Sequence, residues 1–358
     1  MQHPFPVAHP EVKTVQTNET LISKLSKMSN FQDLPDELIL EILSYSEINI
    51  LIKCGQVSRR IRKISHDDSL WATASLEKKI VKTELLEMIL AKGCKILNIS
   101  NSTILGSLSS NIKSQLRVLN LSETVTENCI IHKPIIKALE KLLLCCCSLQ
   151  QLAIEGLWVS SKMAKSICKN GKTLKILDLG YSSVDRLSPR WQHRFGQRHL
   201  GPSYLQEIFE CCQELEEVNF NEVEGLSNSA LEILAKNVPS NVEKLNLTGS
   251  DLTNNHITIL LNRCNKIKIL SLEATLITDD ALTNIKRYLN LTLEELSLGE
   301  NKISATGFLQ LKFMPRLKIL NLNDDIEDFK KIQNLRQYLP HLTIRKTAQL
   351  PKTWMILS

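Results

Sequence analysis

The residues in this 358-residue chain most able to do chemistry are its ten cysteines, two groups of which are adjacent: Cys145-Cys146-Cys147 and Cys211-Cys212. Thiolates ligate zinc or act as nucleophiles. Zinc sites, however, carry paired ligands such as C-x2-C with a matching second pair, and no such set occurs. The register points elsewhere. Cys146 stands three residues before Leu149, Cys212 three before Leu215 and Cys264 three before Ile267. A small apolar side chain recurring at one phase suits a helix-to-strand turn in a layered fold. These thiols therefore read as structural, and in a reducing compartment as free. No phosphate-binding glycine loop, H-E-x-x-H or G-x-S-x-G is present. The eight histidines are scattered, with His193 and His199 in an irregular segment. The chain reads as non-catalytic, with no cofactor.

A second group is basic. Arg186, Arg190, Arg194 and Arg198 stand with Trp191 and Phe195 in an insertion near 184–201. Arginine forks pair bidentately with phosphate, so Arg190 and Arg194 are candidates for holding a phosphorylated segment; a loop with incidental charge is the alternative. The net charge of +6 is spread along the chain beside 38 acids. A nucleic-acid surface would concentrate it on one stripe, so nucleic acid is not an expected partner. No apolar run approaches the roughly 20 residues that span a bilayer, so no membrane partner is expected. The first 30 residues lack an apolar signal core and read as a flexible leader. The expected location is nucleus and cytoplasm.

The elements that must position these groups are repeats. The frame L-x-x-L-x-L, apolar at its first, fourth and sixth places, recurs ten times. Its fourth-place residues stand at 97, 119, 152, 177, 218, 245, 270, 296, 320 and 342. The intervals are therefore 22, 33, 25, 41, 27, 25, 26, 24 and 22, mostly in the range of leucine-rich repeats. Each L-x-L points two side chains inward from a short strand. Helical runs such as Leu231–Ala235 return the chain. Stacked, these units predict an α/β solenoid over 76–344: a parallel sheet on the concave face, helices outside. The 41-residue interval carries the insertion, and the apolar tail 345–358 is expected to cap the last repeats.

On the concave face the fifth-place residues are expected to point outward: Asn98, Asn120, Ala153, Asp178, Asn219, Asn246, Ser271, Ser297, Asn321 and Thr343. Amides and hydroxyls suit a peptide backbone. The third-place residues Ile96, Val118, Ile176, Ile269 and Ile319 would add an aliphatic row, although ordinary strand propensity explains them equally well. Just past the strands Glu222, Glu273, Glu300, Asp324 and Asp325 make the later half acidic, which would steer a basic partner segment.

Ahead of the repeats lies a different texture. Asp33-Leu34-Pro35-Asp36-Glu37 opens a run with Leu38, Ile39, Ile42 and Leu43; a second run covers Ile48–Ile52, a third Val57–Ile64, and Trp71 closes the segment. Pro35 suits a first helical position, and Asp36 and Glu37 complement the helix dipole. Three short helices bury too little alone, so an exposed apolar face is expected to meet a partner.

Leu34-Pro35-Asp36-Glu37-Leu38, Val57-Ser58-Arg59-Arg60 and Asp68-Ser69-Leu70-Trp71 together resemble an F-box over 31–75. An F-box followed by ten repeats resembles the F-box/leucine-rich-repeat family. The resemblance implies docking on a Skp1-type adaptor, with Leu34, Pro35, Leu38, Ile42, Leu43, Leu51, Val57 and Trp71 packing on the adaptor or bracing the module. Through the adaptor it implies a cullin and a RING protein. It also implies a protein substrate on the arc, with phosphorylated cyclin-dependent-kinase inhibitors as the candidate class, and a small phosphate-binding accessory subunit. A non-catalytic scaffold or inhibitor acting by binding alone remains the alternative.

Overall fold

The structure is a computed structural model that describes residues 31–109, 112–126, 133–157, 159, 161–180, 202–223, 226–322, 332 and 335–346. It begins with a 3-10 turn, Phe31–Asp33, and three helices: α1 (Asp36–Ser44), α2 (Ile48–Val57) and α3 (Arg59–Ser65). Pro35 precedes α1 as its cap residue rather than its first helical residue. Its ψ of 150 keeps it extended, while its carbonyl already accepts the Ile39 N–H at 3.1 Å. The Ser58 hydroxyl accepts the Ile61 N–H at 3.1 Å and starts α3, satisfying a donor that the helix cannot. Ile39, Leu43, Ile48, Leu51, Ile61 and Ile64 fill the space between the helices. A 3-10 turn, Asp68–Trp71, ends this head.

The chain then enters a single eleven-stranded, all-parallel sheet in which the strands follow one another in sequence order. They are β1 (Thr73–Ser75), β2 (Ile96–Asn98), β3 (Val118–Asn120), β4 (Gln151–Ala153), β5 (Ile176–Asp178), β6 (Glu217–Asn219), β7 (Lys244–Asn246), β8 (Ile269–Ser271), β9 (Glu295–Ser297), β10 (Ile319–Leu322) and β11 (Thr343–Lys346). Register is constant through β10: the fourth-place residues pair in order, as in Leu245 with Leu270 and Leu270 with Leu296. The first nine leucine frames occupy β2 to β10; the tenth needs correcting, because Leu320 pairs with Ile344 rather than with Leu342, which puts Leu339/Leu342/Ile344 two residues out of step with β11. The first strand was not among them: Trp71-x-x-Ala74-x-Leu76 fits the frame with all three apolar places buried, and Ala74 pairs with Leu97. The solenoid therefore starts inside the segment assigned to the head.

The return segments are α4 (Thr83–Ala91), α5 (Lys133–Cys145), α6 (Ser161–Lys169), α7 (Pro202–Cys211), α8 (Asn228–Asn237), α9 (Asn254–Arg263), α10 (Asp279–Leu289), α11 (Ala305–Phe308) with a 3-10 extension Leu309–Phe313, and α12 (Leu335–Tyr338). The expectation of a helix in every repeat needs one correction. In the first three repeats a small parallel sheet of Ile80–Lys82, Thr103–Leu105 and Val125–Thr126 covers part of the outer side. No helix occurs among the described residues between Leu105 and Val118. One aliphatic core runs from Ile39 in the head to Leu342 in the last repeat.

The turn after each strand repeats as well. Asn101, Glu123, Glu222, Ala274 and Glu300 all have φ between 48 and 60, a left-handed conformation that side chains adopt at a cost. Four of these N–H groups are used in one way: Asn101 donates to the Ser122 carbonyl, Glu123 to Glu155, Glu222 to Thr248 and Ala274 to Gly299, at 2.7–2.8 Å. The strained residue thus extends the hydrogen-bond ladder one rung beyond the sheet.

Candidate functional site

Two surfaces carry the candidate residues. On the head, α1 has two apolar stripes. Ile39 and Leu43 face the core, whereas Ile42 is 46% exposed and Tyr45 85%. Ile50 and Val57 of α2 are exposed too, Val57 at 69%, and Leu34 and Leu38 are half-buried beside exposed Pro35. The Leu34-Pro35 turn is fixed from behind. Arg60 of α3 donates through Nη2 to the Leu34 carbonyl at 2.6 Å and through Nε to the Asp36 carboxylate at 2.8 Å. Arg62 donates to the Gly55 carbonyl at 2.6 Å, tying α2 to α3. The basic helix thus braces the turn.

Three of the residues assigned to the adaptor contact brace the module instead. Leu43, Leu51 and Trp71 are buried, Trp71 to 1% exposure, and have no surface to offer a partner. Trp71 donates from its indole to the Ser65 carbonyl at 2.8 Å, as a buried indole requires. Phe31, Tyr45 and Ile50 complete the exposed face and were not among the expected contacts. The signal for them was present: Tyr45 lies three residues after Ile42, on one helical stripe.

On the arc the fifth-place row also needs correcting. Asp178, Asn219, Asn246, Ser271, Ser297 and Asn321 are buried, not offered to a ligand; Asn120 is half-buried. The Asn and Asp side chains from β2 to β7 bend into the turn that follows. The Oδ1 atoms of Asn98, Asn120, Asp178, Asn219 and Asn246 each accept the N–H two residues on, at 2.9–3.0 Å. Neighbouring repeats are then joined sideways. Asn219 Nδ2 donates to Asp178 Oδ1 at 2.8 Å, and Asn321 Nδ2 to Ser297 Oγ at 2.9 Å. The row is an internal polar seam whose side-chain oxygens in β2, β3 and β5 to β7 are satisfied by these turn N–H groups, as buried polar atoms generally are.

The open part of the concave face is the third-place row. Ile96 is exposed and Val118, Gln151, Ile176, Glu217, Lys244, Ile269, Glu295 and Ile319 are half-buried. Lys244 and Glu217 form an ion pair at 2.6 Å within it. Of the acidic residues beyond the strands, Glu222 and Glu300 are exposed, while Glu273 is buried and supplies no surface. Glu123, Glu155 and Asp178 cluster at the third to fifth repeats. Burial, then Asp178 and Glu123, pushes the Glu155 carboxyl up to about 7. Burial lifts Asp178 to about 6 against the pull of its Gly180 and Asn219 donors. Arg190 and Arg194, the rest of the insertion, Asp324, Asp325 and residues 347–358 of the tail lie outside the described residues.

The in-register cysteines Cys146, Cys212 and Cys264 are buried, as is Cys94 at the first place of its own frame. Burial pushes the Cys146 and Cys212 thiols up to about 12 and those of Cys94 and Cys264 to about 11. Thiols so held are poor nucleophiles. Among the described residues no group of three or more His, Cys, Asp and Glu could hold a metal. No helix among them is long and apolar enough to cross a membrane.

Among solved structures, the actin-binding site 2 of leiomodin-1 is 20% identical with a TM-score of 0.29, covering 37% of this chain and 86% of that one. The C-terminal domain of Caenorhabditis elegans tropomodulin is 14% identical with a TM-score of 0.32, covering 38% and 92%. Residues 31–77 match the family described as F-box-like, and residues 84–349 match the SKP2 LRR domain. With the head and nearly the whole arc so matched, the chain belongs to the F-box/leucine-rich-repeat family, with repeats of the SKP2 type.

Proposed function

We propose that the chain is the substrate-recognition subunit of an SCF-type (Skp1–cullin–F-box) ubiquitin ligase. The observation that carries this reading is the asymmetry of the head. Its core is complete, yet Ile42, Tyr45, Ile50 and Val57 stay exposed on adjoining helices. An apolar patch of that kind marks a protein partner. The F-box match identifies a Skp1-type adaptor as the occupant, and cullin and RING protein follow through it.

The arc then holds the client. Its concave surface offers half-buried aliphatic residues beside exposed Glu222 and Glu300, which suits a segment mixing apolar and basic side chains. The candidate client class is the phosphorylated cyclin-dependent-kinase inhibitors. Carboxylates on this rim would repel a phosphate, so its recognition falls to the small accessory subunit or to the arginines of the insertion. Ubiquitination of the client leads to proteasomal degradation, in nucleus and cytoplasm.

Affinity capture of the tagged full-length chain tests the docking. Adaptor and cullin should co-purify, and Ile42→Glu with Val57→Glu should abolish both while the melting of the repeats is unchanged. Association that survives this double change would end the docking assignment. A chain that binds clients without adaptor is a scaffold or inhibitor.

A further inference from the structure

Two thiols outside the in-register set meet across neighbouring helices. Cys168 is half-buried near the end of α6, and Cys211 is exposed at the last position of α7. Neither fills the core: Ile167 and Cys212, next to them in the chain, are buried there instead. The Cys168 Sγ donates to the Glu207 carbonyl of α7 at 3.5 Å. Helical side chains lean toward the N-terminus, so each covers the turn before its own Cα. Cys211 stands four residues after Glu207 and therefore leans over the turn where the Cys168 sulfur sits.

The two backbones converge at the same place. The Gly171 N–H donates to the Cys168 carbonyl at 3.0 Å. A methyl on Gly171 would stand 3.1 Å from that carbonyl and collide with the carbonyl of Cys211. Glycine thus lets α7 end directly against the turn that closes α6. Burial, then the neighbouring Cys211 thiol, pushes the Cys168 thiol up. Cys145, at the end of α5, answers instead to burial and to Lys169 and Lys141. Two thiols without a third ligand make no zinc site, and among the described residues no larger group is present.

We propose that Cys168 and Cys211 are a redox-modification site, closing into a disulfide on meeting a small disulfide such as that of glutathione and opening again under excess thiol. Exposed Cys211 reacts first. Its thiolate attacks one glutathione sulfur, the S–S bond of the co-reactant breaks, and one glutathione leaves as a thiol. Cys168 then gives up its proton to solvent and attacks the Cys211 sulfur, which forms the bridge and releases the second glutathione. The two cysteines lose two electrons and two protons, and the co-reactant gains them as two thiols. A thiol kept protonated by burial suits the second step and not the first. The bridge clamps α6 to α7 across the stretch of chain that carries β5, and it restricts the unfolded chain as any such cross-link does.

The inference is independent of the adaptor docking proposed above. The full-length chain is reduced, equilibrated with reduced and oxidised glutathione in varied ratio, blocked by alkylation and digested without reduction. Mass spectrometry should find Cys168 joined to Cys211, with fragmentation between Cys211 and Cys212 identifying the partner. The link should disappear when reduced glutathione is in large excess. The oxidised chain should melt about 3 °C or more above the reduced chain. Cys168→Ser and Cys211→Ser should each abolish that gain, and Cys168→Ser should leave a single glutathione trapped on Cys211. Cys211→Ser, at an exposed position, should melt with the reduced parent, so its loss of the gain is not unfolding. The proposal is overturned if the parent shows no Cys168–Cys211 link, if its Cys211 stops at the glutathione adduct or pairs with Cys212, or if either serine variant keeps the gain in melting.

Discussion

The head and the arc are built from the same aliphatic residues and use them in opposite ways. Up to the last repeat, where Ile344 is half-buried and Thr343 exposed, each repeat buries its first-, fourth- and sixth-place side chains against its neighbours, and most of the fifth-place polar row is folded inward. The head completes a small core with Ile39, Leu43 and Leu51 and then leaves a second stripe in water. A solenoid grows by covering each face with the next unit. A three-helix unit has no next unit, so its spare face is the place where another chain takes over that role. The contrast separates residues that hold this protein together from residues that hold it to something else.

Substitutions at the two kinds of position should part accordingly. The largest effect is expected at Trp71, which belongs to both regions. Trp71→Ala should cost about 3–5 kcal/mol by cavity formation, and denaturant unfolding together with adaptor capture should both register the loss. An intact adaptor complex with unchanged stability would break the comparison. Next comes the polar seam. Asn246→Ala leaves the half-buried Thr248 N–H without its acceptor, which costs about 1 kcal/mol, the low end for an unsatisfied donor. Client binding should be spared, since the side chain is buried.

A smaller effect depends on pH. Glu155 titrates at about 7 in the folded chain against an ordinary value of 4.5, so the folded state holds more protons than the unfolded state between those values. Stability therefore falls as pH rises through that window. Glu155→Gln should raise the melting temperature relative to the parent at pH 8 and leave it nearly unchanged at pH 4. An equal gain at both would mean that the carboxyl is not buried as described. The smallest stability change is expected at Ile42→Ala, within about 0.5 kcal/mol as for other surface positions, although adaptor capture should weaken clearly. Substantial destabilisation there would move Ile42 from the docking face to the core.

Much of this was legible in the residues. L-x-x-L-x-L could be read because strand alternation forces its fourth and sixth places inward, and because the stacked layers admit few other residue types. Trp71-x-x-Ala74-x-Leu76 escaped because neither tryptophan nor alanine resembles leucine, although both are apolar. The fifth-place row was misread for a different reason. A polar side chain opposite a core residue on a short strand normally meets solvent, but Asn and Asp can fold back onto an N–H two residues later. The clue was the recurrence of Asn at 98, 120, 219, 246 and 321. One residue type repeated at one place serves the scaffold, whereas a client surface varies from repeat to repeat. On the head, spacing marked both apolar stripes of α1 but gave no sign of which one faces inward. That distinction depends on how α2 and α3 fold over it.

Trp71 ends the head and Thr73 begins the sheet, so only Ala72 lies between them, and its carbonyl accepts the Lys95 and Ile96 N–H groups of the next repeat at 2.9 and 3.1 Å. There is no hinge at this junction. The docking face and the cradle behave as two ends of one rigid beam. On the docking proposed above, a protein seated on the arc would stand at a height and angle above its ligase core fixed by strand spacing, so lengthening or shortening the coil by a repeat would retune which lysines come within reach.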